Sequence, residues 1–205
     1  MKVIDLTHPI SADLPVYFPW HPATAIETTA TYAENRCQVR RVSIGTHSGT
    51  HIDAPSHVFE GKPTLDQYDP GLWFTEAQVI DCSPRNPGKE ISRSELADKL
   101  LKKNVGVLIK TGWDAHFGSK DYYKTYPPIS NEAAQFLVDM KVPVVAADTP
   151  FTLDVHYILL GHGIPLITNV NNTAQLNEGM IRLIAAPMLI KGSDGAPARV
   201  LAVVD

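Results

Sequence analysis

The residues between 43 and 57 constrain the fold most, because Gly45, Gly49 and Pro55 all oppose the interior of a helix. The residues just before them alternate between apolar and polar side chains, as the residues of a β-strand do. We therefore predict an extended chain that bends at Ser48 and Gly49. A helix, which would also place two histidines four residues apart on one face, is disfavoured.

Four side chains that bind metal ions lie within eleven residues of this segment: His47, His51, Asp53 and His57. In an extended chain His51 and Asp53 point to the same side, and the bend brings His47 round to join them. Two imidazoles and one carboxylate are typical of a catalytic metal site, since structural zinc usually takes four protein ligands. The ligands suit a first-row divalent ion such as zinc, manganese or iron. A single histidine is more often a polar turn residue, but four together favour a metal site.

Apolar patterns elsewhere predict a mixed α/β fold. Ser92, with Glu95 three residues later, has the signature of a capping box before a helix that carries Leu96, Leu100 and Leu101. Further helices are predicted from 130 or 131 to 140, and over 153–160 with an end at Gly161 or Gly163. Strands are predicted at 3–6, 25–32, 38–44, 77–81, 105–110, 142–146, 164–170, 180–190 and 198–204.

The order of these elements contains both hairpin-like and crossover-like connections, including a predicted turn over 191–197. We therefore predict a single domain over 1–205, in which a mixed β-sheet packs with helices, in preference to a doubly wound parallel sheet. The segment 7–22 contains four prolines and is expected to form an ordered arm without a sheet ladder or a helix.

Three aromatic residues have two alternative roles. Phe18 and Trp20 in the arm, together with Trp113, either form an apolar pocket for an aromatic amide or pack into the core. Arms with exposed aromatic residues often exchange between subunits, so we expect a homodimer or a higher homo-oligomer.

Composition excludes several partners. The net charge of -4 without a basic cluster argues against nucleic-acid binding. No stretch approaches the roughly 20 apolar residues of a membrane span. The chain has 2 cysteines, Cys37 and Cys82, so a disulfide framework is not expected. We therefore expect a cytoplasmic location.

Residues 47–57 read His-Ser-Gly-Thr-His-Ile-Asp-Ala-Pro-Ser-His and match every fixed position of the motif His-x-Gly-Thr-His-x-Asp-x-Pro-x-His. In this the chain resembles the metal-dependent hydrolases of the cyclase family, which includes kynurenine formamidases and isatin hydrolases. The segments 4–7 and 111–113, and the residues from His156 to Ile164, are similar to family features as well. The resemblance implies a swivelling β/α-type fold, a homo-oligomer, a metal held by His47, His51 and Asp53, and His57 as the catalytic acid/base.

The resemblance also implies a second ion in the formamidase branch, where Asp53 would bridge to a histidine matching His156 and to a glutamate at the position of Thr168. A neutral hydroxyl is a poorer ligand than a carboxylate, so this site would be empty, weak, or completed by His162 or water. The expected cofactor is therefore one or two divalent ions, with zinc first and manganese second. His156 has an equal alternative role as a hydrogen-bonded core residue. His8, His21 and His116 are expected at the surface.

The combined observations predict hydrolysis of a C–N bond in a small-molecule amide. An aryl formamide such as N-formylkynurenine, from tryptophan catabolism, is the first candidate substrate; a cyclic amide like isatin or a lactone is the second. A metal-containing binding protein without turnover is a third hypothesis, although binding alone would not require His57 as a proton carrier. Covalent catalysis is disfavoured, because the serines at 43, 48 and 56 lack a nucleophile-elbow setting and neither cysteine adjoins a histidine.

Overall fold

The computed structural model describes residues 1–100 and 102–204, in which strands outnumber helices. The helices are α1 (Tyr32–Asn35), α2 (Arg93–Lys99), α3 (Asn131–Asp139) and α4 (Leu153–Gly161). The strands are β1 (Lys2–Asp5), β2 (Ala25–Ala30), β3 (Val39–Ser43), β4 (His51–Asp53), β5 (Phe74–Asp81), β6 (Gly106–Lys110), β7 (Val145–Ala147), β8 (Leu166–Thr168), β9 (Gly179–Pro187) and β10 (Gly195–Val204).

The main sheet is mixed and closes on itself. Its strands follow the order β1-β10-β4-β8-β7-β6-β5-β9, and β9 pairs back onto β10 to give a barrel-like sheet. The pairs among β5, β6, β7 and β8 are parallel, and the other pairs are antiparallel. This arrangement confirms the predicted mixed α/β class. Strands β2 and β3 form a separate antiparallel hairpin.

Alternation along the strands divides the apolar side chains between two cores. Val79 and Leu108 belong to the cluster inside the barrel, whereas their neighbours Ile80 and Ile109 belong to the cluster under α2, α3 and α4. All four side chains have 0% exposure, so each contributes about 1.5–3 kcal/mol of apolar burial. The barrel is therefore a packed scaffold, with helices on its outer face.

The helices α2, α3 and α4 begin where the sequence predicts them. Ser92 and Glu95 form the expected capping box at the start of α2, and Ser130 accepts a hydrogen bond from the backbone of Ala133 at the start of α3. Leu96 is the buried residue of α2, as its position predicts, while Leu101 lies outside the described residues. Thr152 caps α4 through the backbone N–H of Val155. Such caps each contribute on the order of 1 kcal/mol.

Some predicted boundaries are wrong. The strand predicted at 25–32 ends at Ala30, because Thr31 caps the short helix α1 through the backbone N–H of Glu34. The strand predicted to begin at 198 begins at Gly195, because residues 195–197 pair with β4. The predicted turn over 191–197 is thereby shortened.

The segment with the histidines is extended and bent, as predicted. Gly49 has a φ of +60°, which a residue without a side chain adopts at little cost, and it lies just before the short strand β4. Strand β4 lies between β10 and β8, with His51 opposite Thr168 and Asp53 opposite Gly195. Residues 55–57 then form a single 3₁₀ turn that ends at His57.

A buried carboxylate ties the ends of β6 and β7 together behind this segment. Asp148 is 0% exposed and accepts hydrogen bonds from the backbone N–H groups of Thr111 and Gly112 and from the hydroxyls of Thr111 and Thr173. Burial raises the pKa of Asp148 to about 6, although these hydrogen bonds oppose the shift. The hydroxyl of Tyr122 donates to the backbone carbonyl of Asp148.

We expect the substitution Asp148→Asn to destabilise the fold by about 1–3 kcal/mol, because an amide NH₂ would face donors that now point at a carboxylate. Urea unfolding at neutral pH measures the loss. The same substitution at the exposed Asp98 of α2 is the control and should change the unfolding free energy little. Equal stability of the two variants would contradict this role for Asp148.

Candidate metal centre and cavity

Asp53 is the centre of the site. Its side chain is 1% exposed, and its Oδ1 atom lies 2.7 Å from Nδ1 of His47 and 3.2 Å from Nε2 of His51. One ligand atom from each of these three residues lies within 4.8 Å of the other two. Burial alone would raise the pKa of Asp53, but the charge and hydrogen bonds of the neighbouring histidines hold it well below its ordinary value. The carboxylate is therefore ionised and faces two imidazoles.

The hydrogen-bond pattern of His51 shows that a cation fits among these atoms. Nδ1 of His51 lies 2.8 Å from the carbonyl oxygen of Gly49, which accepts only, so Nδ1 carries the hydrogen. The other nitrogen, Nε2, then turns a lone pair toward the Asp53 carboxylate. Two acceptors in contact need a proton or a metal ion between them. Two nitrogens and one oxygen suit a divalent metal ion.

His47 faces a carboxylate on both sides of its ring. Nδ1 meets Asp53, and Nε2 lies 2.8 Å from Oδ2 of Asp194. Burial lowers the pKa of His47, but the hydrogen bonds to Asp194 and Asp53 outweigh it and raise the pKa to about 9. The same negative surroundings favour a metal cation beside this ring.

The other oxygen of Asp53 faces a different set of residues. Oδ2 lies 3.2 Å from Nε2 of His156 and accepts a hydrogen bond from the hydroxyl of Thr168 at 3.1 Å. Nδ1 of His156 is committed to the carbonyl of Thr152 at 2.8 Å. His156 thus lies at the site and not within the apolar core under α4. Thr168 occupies the place expected for a glutamate and satisfies Oδ2 as a hydrogen-bond donor.

His57 lies beside His47, on the side of the three proposed ligands that faces the cavity. Its ring is 3.8 Å from the ring of His47, and its Nδ1 atom lies 3.4 Å from Oδ2 of Asp194. The His57 side chain is 25% exposed, so one edge of the ring reaches the cavity described below. The hydrogen bonds of His47 and His57 hold the pKa of Asp194 far below its ordinary value.

Sequence reasoning missed Asp194. It interpreted residues 191–197 as a turn, and only the pairing of β10 with β4 places Asp194 beside the histidines. A carboxylate next to Gly195 was the available signal, but nothing in the local sequence connects it to residues more than a hundred positions earlier.

A cavity of about 430 Å³ opens above these groups. The arm contributes Phe18 and Trp20, whose rings stack with centroids 4.9 Å apart, and Trp20 remains 74% exposed. None of the described residues that line the cavity is a lysine or an arginine. Besides the histidines, Asp53 and Thr168 described above, the residues that line the cavity are Tyr17, Phe18, Trp20, His21, Val58, Tyr123, Pro150, Phe151, Leu153, Tyr157 and Asn169.

The Cyclase family model matches residues 4–153 of this chain, which include the histidine motif and β4. The chain belongs to the cyclase family. A kynurenine formamidase from Bacillus cereus is 27% identical over 205 residues, an alignment that covers 96% of this chain and 94% of that protein.

Solved structures agree with this membership. Isatin hydrolase A from Labrenzia aggregata, bound to benzyl benzoate, has a TM-score of 0.90 and 27% identity, and covers 99% of this chain and 93% of its own. A "predicted metal-dependent hydrolase" from Bacillus stearothermophilus has a TM-score of 0.80 and 26% identity, with 98% of this chain and 97% of its own covered. The cyclase-family fold of this chain is therefore established over nearly its whole length.

The structure decides between the two roles left open for Trp113 and corrects the surface position expected for His8. Trp113 does not line the cavity: it is 4% exposed, and its indole N–H donates to the carbonyl of Tyr122, so it packs in the core. His8 is not at the surface, because it is 7% exposed and stacks on Phe117 with ring centroids 3.6 Å apart.

The remaining histidines also differ among themselves. His116 is exposed, as expected, whereas the half-buried His21 lines the cavity. His162 is exposed, and its Nδ1 lies 2.8 Å from the carbonyl of Ile158 in α4. It is therefore engaged with its own helix and does not complete a second metal site.

We expect the substitution Gly195→Ala to weaken metal binding by about tenfold or more, as disturbed ligand support does. An added Cβ would lie 2.6 Å from Cε1 of His47 and 2.8 Å from the carbonyl of Ile52, so the imidazole would have to move. Calorimetric titration with zinc measures the change. The control is Leu189→Ala in the same connection, where the side chain is 86% exposed. Equal zinc affinity of both variants would show that His47 does not need this close approach.

Proposed function

We propose that the protein hydrolyses the C–N bond of a small aromatic amide, with a divalent metal ion held by His47, His51 and Asp53. One observation carries the proposal: three ligand atoms converge at the floor of an aromatic cavity, and His57 stands beside them. The similarity to a kynurenine formamidase and to isatin hydrolase A supports hydrolysis of a C–N bond that is not a peptide bond.

A divalent ion bound there would polarise the amide carbonyl and lower the pKa of a water molecule toward neutrality. His57 would accept the proton of the attacking water and return it to the departing nitrogen, which leaves poorly as an anion. Other contacts would hold the ligand residues in place: the Thr168 hydroxyl donates to Oδ2 of Asp53, and the Gly49 carbonyl accepts from Nδ1 of His51. Phe18 and Trp20 would cover an aromatic ring and exclude water from the reacting bond.

The substrate that we place first is an aryl formamide such as N-formylkynurenine, which the full-length likeness to kynurenine formamidase supports. Because no lysine or arginine occurs among the described residues of the cavity wall, recognition would depend on the ring and the amide. A charged amino-acid end would then lie toward the open mouth near the exposed Trp20.

A cyclic aromatic amide like isatin, or a lactone, is the second candidate. Two observations favour it: the TM-score of 0.90 to isatin hydrolase A, and Thr168 at the position where the formamidase branch is expected to carry a glutamate. We assign zinc as the first choice of metal and manganese as the second. One ion per chain is favoured, since the Thr168 hydroxyl already donates to Oδ2 of Asp53. A homodimer or higher homo-oligomer and a cytoplasmic location stay predictions.

Metal removal combined with a substrate panel tests the proposal. We expect the purified protein to hydrolyse formanilide, N-formylkynurenine or isatin, to lose this activity after chelation, and to recover it with zinc or manganese. Metal analysis of the same sample gives the number of ions per chain. Metal-loaded protein that hydrolyses no aromatic amide or lactone would contradict the proposal and favour a binding protein without turnover.

The substitution His57→Gln tests the proton carrier separately. We expect kcat to fall by about 100- to 10,000-fold, because general acid–base catalysis is lost while the three metal ligands remain. Steady-state kinetics and metal content are measured on the same preparation. The exposed His116, which lies outside the cavity wall, provides the matched control His116→Gln. Equal kcat values for the two variants would remove His57 from the mechanism.

A further inference from the structure

Asp194 contacts two histidines to which the proposed reaction gives different tasks. Its Oδ2 atom lies 2.8 Å from Nε2 of His47, a proposed metal ligand, and 3.4 Å from Nδ1 of His57, the proposed proton carrier. The Asp194 side chain is 41% exposed, so its place cannot be explained by burial of an ion pair in the core. We propose that Asp194 is a positioning residue that selects which ring nitrogen of His47 binds the metal and which nitrogen of His57 carries the proton.

The argument for His47 follows from the number of nitrogens on an imidazole. With a metal bound, a neutral ring has one ligand nitrogen and one N–H. If Nε2–H donates to Asp194, Nδ1 is the free nitrogen, and Nδ1 is the atom that faces Oδ1 of Asp53. A carboxylate partner on the far side of a metal-bound histidine also raises its basicity as a ligand.

The other imidazoles at Asp53 are oriented in the opposite sense. His51 and His156 direct Nδ1 to the carbonyls of Gly49 and Thr152, which leaves Nε2 toward Asp53. In His47 it is Nδ1 that faces Asp53, and Nε2 contacts the carboxylate of Asp194 in place of a backbone carbonyl. Asp194 is thus the side chain that accounts for the reversed ring.

For His57 the same contact determines the proton carrier. A hydrogen on Nδ1 that points to Asp194 leaves Nε2 as the nitrogen that can take a proton from water in the cavity. Without Asp194 the two neutral tautomers of His57 would compete, and part of the population would present an N–H where a base is needed. One carboxylate oxygen therefore couples metal binding to proton transfer.

The backbone holds Asp194 in place for this role. Its carbonyl accepts a hydrogen bond from the N–H of Ala54, just beyond β4, at 2.9 Å. The residues on either side are fixed too: the carbonyl of Ser193 accepts from Leu65, and Gly195 pairs with Asp53. The side chain thus starts from a fixed position just before β10, next to the strand that carries His51 and Asp53.

The inference rests on the proposed function, but its first test needs no substrate. Zinc affinity is measured by calorimetric titration for the native chain, Asp194→Ala and Asp194→Asn. We expect Asp194→Ala to bind zinc about 10- to 100-fold more weakly, as losses of ligand support do. Asp194→Asn, which keeps a neutral acceptor of the same shape, should lie between. The control is Asp66→Asn, because Asp66 accepts from the backbone of Gly192 in the same connection but contacts no histidine.

Tautomers give a readout that a merely structural role would not move. In ¹⁵N-labelled, zinc-loaded protein we expect His47 to carry hydrogen on Nε2 and His57 on Nδ1, and His57 to shift toward the Nε2–H form in both Asp194 variants. Folded Asp194→Ala protein with native zinc affinity and native tautomers would overturn the proposal. So would loss of one of two bound zinc ions, which would make Asp194 a ligand, since His47, His57 and Asp194 could themselves surround an ion.

Activity then separates this inference from the proposed function. If an aromatic amide is hydrolysed, Asp194→Ala should lower kcat and zinc affinity together, while Asp66→Asn should lower neither. If no amide is hydrolysed but zinc affinity and tautomers change as expected, the proposed function fails and the positioning role of Asp194 stands. Native kcat in a zinc-saturated Asp194→Ala variant would remove His57 from the inference.

Discussion

The ionised carboxylate of Asp53 is the constraint on which the site depends. A carboxylate with 1% exposure is costly unless charged or polar partners surround it. The partners here are three imidazoles and one hydroxyl, distributed over its two oxygens: His47 and His51 on Oδ1, His156 and Thr168 on Oδ2. The arrangement is stable only with positive charge among these groups, which protonated histidines or the proposed metal ion would supply.

The barrel supplies the rigidity that this arrangement needs. Strand β4 has three residues, yet it lies between β10 and β8, so its backbone is held on both sides. A shift of one residue in either pairing would turn Asp53 and His51 away from the site. Asn169 adds a further restraint, since its side chain donates to the same Gly49 carbonyl that orients His51. The two proposed metal ligands on this short strand are therefore held by pairing on both sides.

The convergence of His47, His51 and Asp53 could be predicted from the sequence because the information for it is local. The glycines exclude a helix, the spacing of His51 and Asp53 fits a strand, and the bend at Gly49 has its expected positive φ. The mixed sheet and the caps of α2 and α3 were predictable for the same reason. Asp194 was not, because its role arises from the register of β10 against β4, and register between distant strands leaves no local trace. The aromatic residues show a second limit, because the sequence does not tell which tryptophan lies at the cavity and which lies in the core. Trp20 stacks on Phe18 at the cavity, whereas the indole N–H of Trp113 donates to a backbone carbonyl that is near it only in the folded chain.

Thr168 shows how one substitution could change the chemistry while the fold stays the same. At Oδ2 of Asp53 a glutamate would add negative charge and require a second cation, whereas the hydroxyl of Thr168 donates a hydrogen bond and requires none. Negative charge is instead present on the other side, where Asp194 contacts His47 and His57. With Thr168 at Oδ2, the carboxylates of the site are Asp53 and Asp194. This arrangement would suit one metal ion and one proton carrier that act on an uncharged amide.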